Sequence, residues 1–152
     1  MTASTADREQ IVDLVVRYGR ACDTKDWKLL ESCFAPDSVV RYSQFGPPFT
    51  GHKELEDYLR MALDALDGTQ HLFTNYAIET DGDRGHFRVS LHAQHVKRSV
   101  QNETWCAVGG TYEIDVARVD GGWKMTGMQF EPIWMSGNPE VLGHILDDDH
   151  TL

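Results

Sequence analysis

The apolar residues of the N-terminal part recur at the spacing of an α-helix. Residues 5–22 predict one amphipathic helix, with Ser4 or Thr5 as its cap. A second, short helix is predicted from Thr24, and Ala35-Pro36-Asp37 is expected to end it, because the residue before a proline avoids helical backbone. A third helix is predicted over residues 52–66.

The second half of the chain changes to the alternating pattern of half-buried strands. Strict alternation of apolar and polar residues covers residues 85–96 and 111–119, and residues 71–80 and 123–134 are rich in apolar and aromatic residues. The turn sequences DGD and DGG separate neighbouring strands. Gly109-Gly110-Thr111 is expected to lie between strands, as a bulge or a close backbone approach.

This order of elements predicts the fold class. Helices come first, and strands joined by hairpin turns come second, which is typical of an α+β fold with an antiparallel sheet. Three helices cannot cover both faces of a long curved sheet, so one face is expected to curl around the helices and to leave a pocket. The 152 residues contain no repeat or linker and are expected to form one domain. Residues 139–152 are expected to form a short helix and an acidic tail.

Charge and composition narrow the functional classes. The net charge of −10 argues against nucleic acid and against anionic membranes, which recruit basic patches. No apolar run is long enough to span a membrane, and the N-terminus does not resemble a signal peptide. Three cysteines, an odd number, indicate reduced thiols that pack in the core. We therefore expect a cytoplasmic protein, and the charge does not identify a substrate.

Two polar residues stand out against the apolar patterns. Asp23 lies near the predicted end of the first helix, where its charge opposes the helix dipole, so a partner elsewhere would explain it. His71 lies at the start of a strand among apolar residues.

His92 and His95 are three residues apart on a strand and point to opposite faces, so they cannot bind one metal ion together. No phosphate-binding or dinucleotide-binding motif is present. The sequence predicts neither a metal nor a cofactor.

Four segments carry a resemblance to a known family: CDTKDW, APDSVVRYSQF, TQHLFTNYAIE and VDGGWKM. With the order of elements, they resemble the SnoaL-like branch of the nuclear transport factor 2-like superfamily, nearest to scytalone dehydratase-type lyases. The similarity extends from about residue 8 to about residue 135. It implies a cone-shaped α+β barrel, in which N-terminal helices pack in a curved antiparallel or mixed sheet that encloses one pocket.

The resemblance also implies roles for single residues. His71 matches the general base of these lyases, and Asp23 matches the aspartate that orients it. Tyr42 matches a tyrosine of scytalone dehydratase that helps to hold a water on the substrate carbonyl. Two enzymes resemble the chain more distantly, a bile acid 7α-dehydratase and a hexachlorocyclohexane dehydrochlorinase. Tyr18 matches an active-site tyrosine of the first, and Asn75 matches an asparagine of the second.

Other positions depart from the family pattern. The second active-site histidine of scytalone dehydratase aligns nearest Ala93, with His92 and His95 flanking it, and Cys22 replaces a tyrosine. The base and its aspartate are thus expected to be retained, whereas the groups that select the substrate are replaced. The residues expected to contact substrate are Trp105, Phe73, Asn75, Met128, Phe130, Trp134, His92 and His95.

These residues predict a cofactor-independent lyase of the dehydratase type. An Asp–His pair would remove a proton from a small, largely apolar cyclic substrate, which would then lose water or another leaving group. An isomerase or a polyketide cyclase could use the same pair, and a non-catalytic ligand-binding or assembly module is a further alternative. By analogy with the family, the chain is expected to form a homodimer or a homotrimer.

Overall fold

The helices of the N-terminal part surround the site described below. The structure is a computed structural model that describes residues 1–42 and 46–146. Helix α1 (Thr5–Thr24) begins where the Ser4 hydroxyl accepts a hydrogen bond from the backbone N–H of Asp7, and it ends before Lys25, whose φ of 55° is left-handed. Helices α2 (Trp27–Cys33) and α3 (Gly51–Asp64) follow. The three helices predicted from periodicity are therefore present.

The second helix and the strand that follows it meet earlier than predicted. Strand β1 (Phe34–Arg41) starts directly after α2 and includes Pro36, which was expected to end the helix. The pairing of β1 is irregular between Phe34 and Val39. Pro36 has no N–H to donate, and such an interruption tolerates it.

Six strands form a single curved mixed sheet. After β1 come β2 (Phe49–Thr50), β3 (Gly68–Asp81), β4 (Arg84–Val96), β5 (Trp105–Val119) and β6 (Gly122–Gly137). Their order in the sheet is β2-β1-β6-β5-β4-β3. Every neighbouring pair is antiparallel except β1 and β6, which run parallel. The N-terminal helices pack against this sheet, so the predicted α+β class and cone shape are confirmed.

Strand β5 is longer than the alternating pattern suggested. It begins at Trp105, and the two glycines Gly109 and Gly110 lie inside it rather than between strands. The pairing with β6 shifts between them, as a bulge does. A Cβ at Gly109 would collide with the Trp134 ring, and one at Gly110 with the Glu131 carbonyl oxygen. The predicted bulge and close approach are thus confirmed, whereas the predicted strand boundary is wrong.

A short C-terminal segment completes the described fold. It consists of a 3₁₀ turn (Pro139–Leu142) and helix α4 (Gly143–Leu146). The imidazole Nε2 of His144 lies 2.9 Å from the carbonyl oxygen of Ala62, which ties this segment to α3. The predicted acidic tail lies outside the described residues. No helix in the described ranges is long and apolar enough to cross a membrane.

Candidate active site

Asp23 and His71 meet between the last turn of α1 and the first half of β3. The carboxylate oxygen Oδ1 of Asp23 lies 2.6 Å from Nδ1 of His71. Its other oxygen, Oδ2, accepts a hydrogen bond of 3.1 Å from the backbone N–H of His71. The hydroxyl of Thr69 donates to Oδ1 at 2.9 Å. Three donors from one strand therefore fix the aspartate, which explains why a charge is kept at an unfavourable helix end.

The surroundings keep this carboxylate ionised. Burial on its own would raise the pKa of Asp23, but the hydrogen bonds from His71 and Thr69 and the attraction to His71 outweigh it and lower the pKa. A carboxylate can only accept, so Nδ1 of His71 carries the proton that it donates. In neutral His71 the other nitrogen, Nε2, then carries a lone pair. Among the described residues, Nε2 has no hydrogen-bond partner. The side chain is 9% exposed.

His71 contributes to the wall of a cavity inside the cone. The cavity has a volume of about 110 Å³ and is lined by residues of α1, α3, the inner face of the sheet and the C-terminal segment. Most of the lining is apolar. It includes Leu59, Leu63, Leu91, Val108, Phe130 and Leu142. An apolar lining excludes bulk water and strengthens the electrostatic interactions of the few polar groups inside.

Two tyrosine hydroxyls face the same cavity as a hydrogen-bonded pair. The oxygens of Tyr18 and Tyr42 are 2.9 Å apart, and both residues line the cavity. Burial raises the pKa of both hydroxyls, so each is protonated at neutral pH. Only one of the two protons can lie between the oxygens. The other hydroxyl is therefore able to donate to a ligand.

One of the two neighbouring histidines of β4 reaches the cavity. His95 lines it and is buried, and the rings of His95 and His71 are 6.0 Å apart. His92 points to the outer face of the sheet, where its ring packs edge-on against Trp134. The prediction that His92 contacts substrate is therefore wrong. His71 pairs with Ala93, which faces inwards, so its neighbour His92 must face outwards.

Several other predicted contact residues lie away from the cavity wall. Trp134 is 43% exposed and lies on the outer face above Gly109. Asn75 has a φ of 59° at a shift in the β3–β4 pairing, and its amide is 3.4 Å from the Ser90 hydroxyl. A bulge of this kind turns the side chain away from the regular strand face.

Three apolar residues of the same prediction do not line this cavity. Met128 is buried in the core, and Trp105 lies at the start of β5, where its carbonyl accepts from the backbone N–H of Asn138. Phe73 stacks behind the imidazole of His71, with the ring centres 6.4 Å apart. It packs against the site without lining the cavity. Of the predicted apolar residues, only Phe130 lines it.

Some residues that line the cavity carry no functional signal in the sequence. Tyr58 belongs to the apolar stripe of α3, and Tyr112 alternates with other inward-facing residues of β5. Their apolar pattern is that of core residues, and a buried tyrosine hydroxyl, which needs a partner, is the only signal that could have indicated them. Ile145 and Leu146 follow the last predicted strand, and no local pattern relates them to the site.

Metal ligands are not grouped in the described ranges. No set of three or more histidine, cysteine, aspartate or glutamate side chains in residues 1–42 and 46–146 is placed to hold one ion. The three cysteines are buried free thiols. The polar groups at the cavity thus include an imidazole hydrogen-bonded to a carboxylate, a second imidazole and tyrosine hydroxyls. This set can accept a proton and stabilise a nearby oxyanion.

Comparisons with known proteins identify the family of this chain. A family model described as a SnoaL-like domain matches residues 3–129. An uncharacterised protein of Mycobacterium tuberculosis is 26% identical over 124 residues, which cover 81% of this chain and 83% of that protein.

Solved structures with the same fold include enzymes. A candidate scytalone dehydratase from Novosphingobium aromaticivorans superposes with a TM-score of 0.80 at 20% identity, over 88% of each chain. A hexachlorocyclohexane dehydrochlorinase from Novosphingobium barchaimii gives a TM-score of 0.76 at 17% identity, over 86% of this chain and 89% of that one. At such identities the likeness shows a shared fold alone.

Proposed function

Because the chain belongs to the SnoaL-like domain family, we propose that it is a cofactor-independent lyase that deprotonates a small cyclic substrate in this cavity. The observation that carries the proposal is the 2.6 Å contact between Asp23 and His71 at the wall of an apolar cavity. The dehydratase and dehydrochlorinase descriptions of two structural neighbours support the same class of reaction.

His71 is the general base of the proposed reaction. Its Nε2 lone pair takes a proton from a carbon next to a carbonyl group, and the imidazolium that forms keeps its Nδ1 proton on Asp23. The ionised carboxylate stabilises this imidazolium and holds the ring in one tautomer. Histidine suits the task because its ordinary pKa lies near neutrality.

The tyrosine pair stabilises the oxygen on which negative charge develops. As the carbon loses its proton, electron density moves to the substrate carbonyl oxygen. The hydroxyl of Tyr18 or Tyr42 that is free to donate can hydrogen-bond to that oxygen, directly or through a water. The electron pair then returns to form a carbon–carbon double bond. The leaving group departs from the adjacent carbon with its bonding electrons. A departing hydroxide takes the proton from the His71 imidazolium and becomes water, whereas after loss of chloride that proton passes to solvent.

The alternatives differ only after the first step. An isomerase would return the proton to another carbon, and a polyketide cyclase would add the carbanion to a second carbonyl group. Both begin with the same deprotonation by His71. The non-catalytic alternative, a binding module, needs no base with a free lone pair beside an apolar cavity.

The test follows deprotonation in heavy water. Purified protein is incubated with a panel of small cyclic β-hydroxy and β-chloro ketones, and mass spectrometry records deuterium uptake and loss of the leaving group. We expect elimination with the wild-type protein and a rate about 10²–10⁴-fold lower with His71→Ala. His92→Ala, on the opposite face of the sheet, is the matched control and keeps the wild-type rate.

The other possible outcomes of this experiment distinguish the proposed lyase from the alternatives. Wild-type rates in His71→Ala would contradict the proposal. Deuterium uptake without loss of the leaving group would identify an isomerase or cyclase. Binding of panel members without any deuterium uptake would favour the non-catalytic module.

A further inference from the structure

We propose that His95 acts as a hydrogen-bond acceptor that selects ligands carrying a hydroxyl group, and that this hydroxyl is kept in the product. The inference rests on the proposed function in one respect, because it takes this cavity as the substrate site. It adds a second group that contacts the substrate, with its ring centre 6.0 Å from that of His71. This second contact defines a class of substrate.

The pairing of β3 with β4 places His95 beside the base. His71 pairs with Ala93, and Thr69 pairs with His95, so the two histidines are diagonal neighbours on the inner face. Their rings meet edge to face with centres 6.0 Å apart. His95 is 8% exposed and lines the cavity. Both imidazoles can therefore contact one small ligand at two of its atoms.

One contact fixes the tautomer of His95. Its Nδ1 lies 3.2 Å from the backbone carbonyl oxygen of Cys106. A carbonyl oxygen can only accept, so Nδ1 carries the proton, and in the neutral ring Nε2 carries a lone pair. Within the described ranges, Nε2 has no hydrogen-bond partner. The cavity thus presents a bare acceptor at this point.

The ring remains neutral at ordinary pH. Burial, and then the neighbouring His71, lower the pKa of His95 to about 4. A neutral ring whose only proton is held by Cys106 cannot protonate a leaving group. Its Nε2 can only accept a hydrogen bond, so we assign recognition to His95 and proton transfer to His71.

An unpaired acceptor in an apolar cavity discriminates between ligands. Filling the site with a purely apolar ligand removes water from Nε2 without replacing the lost hydrogen bond, which is unfavourable. A hydroxyl group at that point restores the bond. The substrate class that fits is a small cyclic carbonyl compound with an acidic carbon–hydrogen bond facing His71 and a separate hydroxyl group facing His95.

The test compares two small probes of similar shape, phenol and toluene. Isothermal calorimetry or ligand-detected NMR gives the dissociation constant of each with the wild-type protein and the variants. In His95→Asn, the side-chain amide can still donate a hydrogen bond to the backbone carbonyl oxygen of Cys106. The shorter side chain leaves no acceptor at the position of Nε2. We expect the preference for phenol, expressed as the ratio of the two dissociation constants, to fall about tenfold in this variant.

Two further variants separate this role from a merely structural one. His95→Gln can present its amide oxygen near the Nε2 position and should restore part of the preference. His92→Asn, on the same strand but on the outer face, should leave the ratio unchanged. Circular dichroism and a thermal melt verify that each variant is folded.

Three results would overturn the inference. They are an unchanged ratio in folded His95→Asn, no phenol binding by the wild-type protein, and imidazole nitrogen NMR that finds the proton of His95 on Nε2. The NMR measurement needs no ligand and no variant. None of these measurements involves turnover. A result that overturns the role of His95 would therefore leave the proposed role of His71 untouched. A result that overturns catalysis by His71 would likewise leave the binding measurements valid.

Discussion

Two histidines, one on each face of the sheet, are hydrogen-bonded to carboxylates, yet their surroundings differ. His71, on the inner face, is bonded to Asp23 through one nitrogen only, and its side chain is 9% exposed. His86, on the outer face, is bonded through both nitrogens, at 2.8 Å to Asp115 and at 2.9 Å to Glu113, and its side chain is 53% exposed.

This difference separates the proposed base from an ion pair. Bonds to two carboxylates require a proton on each ring nitrogen, so His86 is bound as a cation and has no lone pair. The hydrogen bond from His86 to Asp115 comes first among the causes that raise its pKa, and Glu113 adds to it. A neighbouring carboxylate is therefore not sufficient for general-base chemistry. The imidazole also needs a second nitrogen that is free and faces a cavity.

The largest expected effect comes from removing the charge of the inner carboxylate. Asp23→Asn takes away the acceptor that fixes the His71 tautomer and stabilises its imidazolium. We expect turnover to fall by about 10²–10⁴-fold. The measurement uses a substrate from the heavy-water panel. Asp115→Asn, the matched change on the outer face, should leave turnover unchanged. Equal effects of the two substitutions would show that the distinction between the faces is wrong.

The second effect is on stability in acid and concerns His95. Its folded-state pKa of about 4 lies below the ordinary value of 6.5. Between these values the unfolded chain binds a proton at this residue that the folded chain does not, so stability falls as the pH falls. The loss from this group is about 3 kcal/mol in total. Urea unfolding between pH 7 and about pH 4 measures this loss of unfolding free energy. His95→Gln should abolish the part of the loss that comes from this residue. An unchanged acid slope in that variant would contradict the burial of a neutral ring.

The third effect concerns Gly109 and Gly110, two consecutive glycines of β5 that face opposite sides of the sheet. Gly110→Ala directs a methyl group at the Glu131 carbonyl oxygen and the Phe130 ring, which are held by the sheet and the cavity wall. The atoms nearest to a methyl group at Gly109 belong to the Trp134 ring, which is 43% exposed and has room to move. We expect Gly110→Ala to lower the free energy of unfolding by about 1–3 kcal/mol, and Gly109→Ala by less. Thermal and urea unfolding measure both. The reverse order would argue against a rigid inner face.

The smallest effect concerns the outer histidine. The raised pKa of His86 means that its stabilising contribution is complete below the ordinary value of 6.5 and is lost as the pH rises through the folded-state pKa. Because the group is half exposed, we expect less than about 1 kcal/mol. The unfolding free energies of wild type and His86→Ala, compared across this range, should converge at alkaline pH. We expect the contribution of His95 to the unfolding free energy to increase with pH and that of His86 to decrease. These opposite pH dependences would sharpen the comparison of the two faces.

Periodicity predicts the elements that depend on local sequence. The apolar stripe of α1 and the alternation along β4 identify a helix and a strand from neighbouring residues alone. The positions of Asp23 and His71 could be anticipated from the family resemblance together with the unfavourable charge at a helix end.

The remaining features depend on pairing between distant segments. Alternation places His95 on the apolar face of β4 with Leu91 and Ala93, but only the register of β4 against β3 places it beside His71. The outward position of Trp134 likewise depends on where β6 lies against Gly109. The contribution of Leu142 to the cavity depends on the return of the chain to α3. No local pattern contains these facts, because each joins residues far apart in sequence.

The parallel contact of β1 with β6 has a kinetic consequence. It pairs Val40 with Met128, and Tyr42 follows directly after β1. Closing so long a loop is entropically unfavourable, so contacts of this kind form slowly. The hydroxyl pair of Tyr18 and Tyr42 lies beside this contact, so we expect it to be completed late in folding, together with the pairing of β6. A refolding experiment should therefore recover helical signal well before it recovers ligand binding.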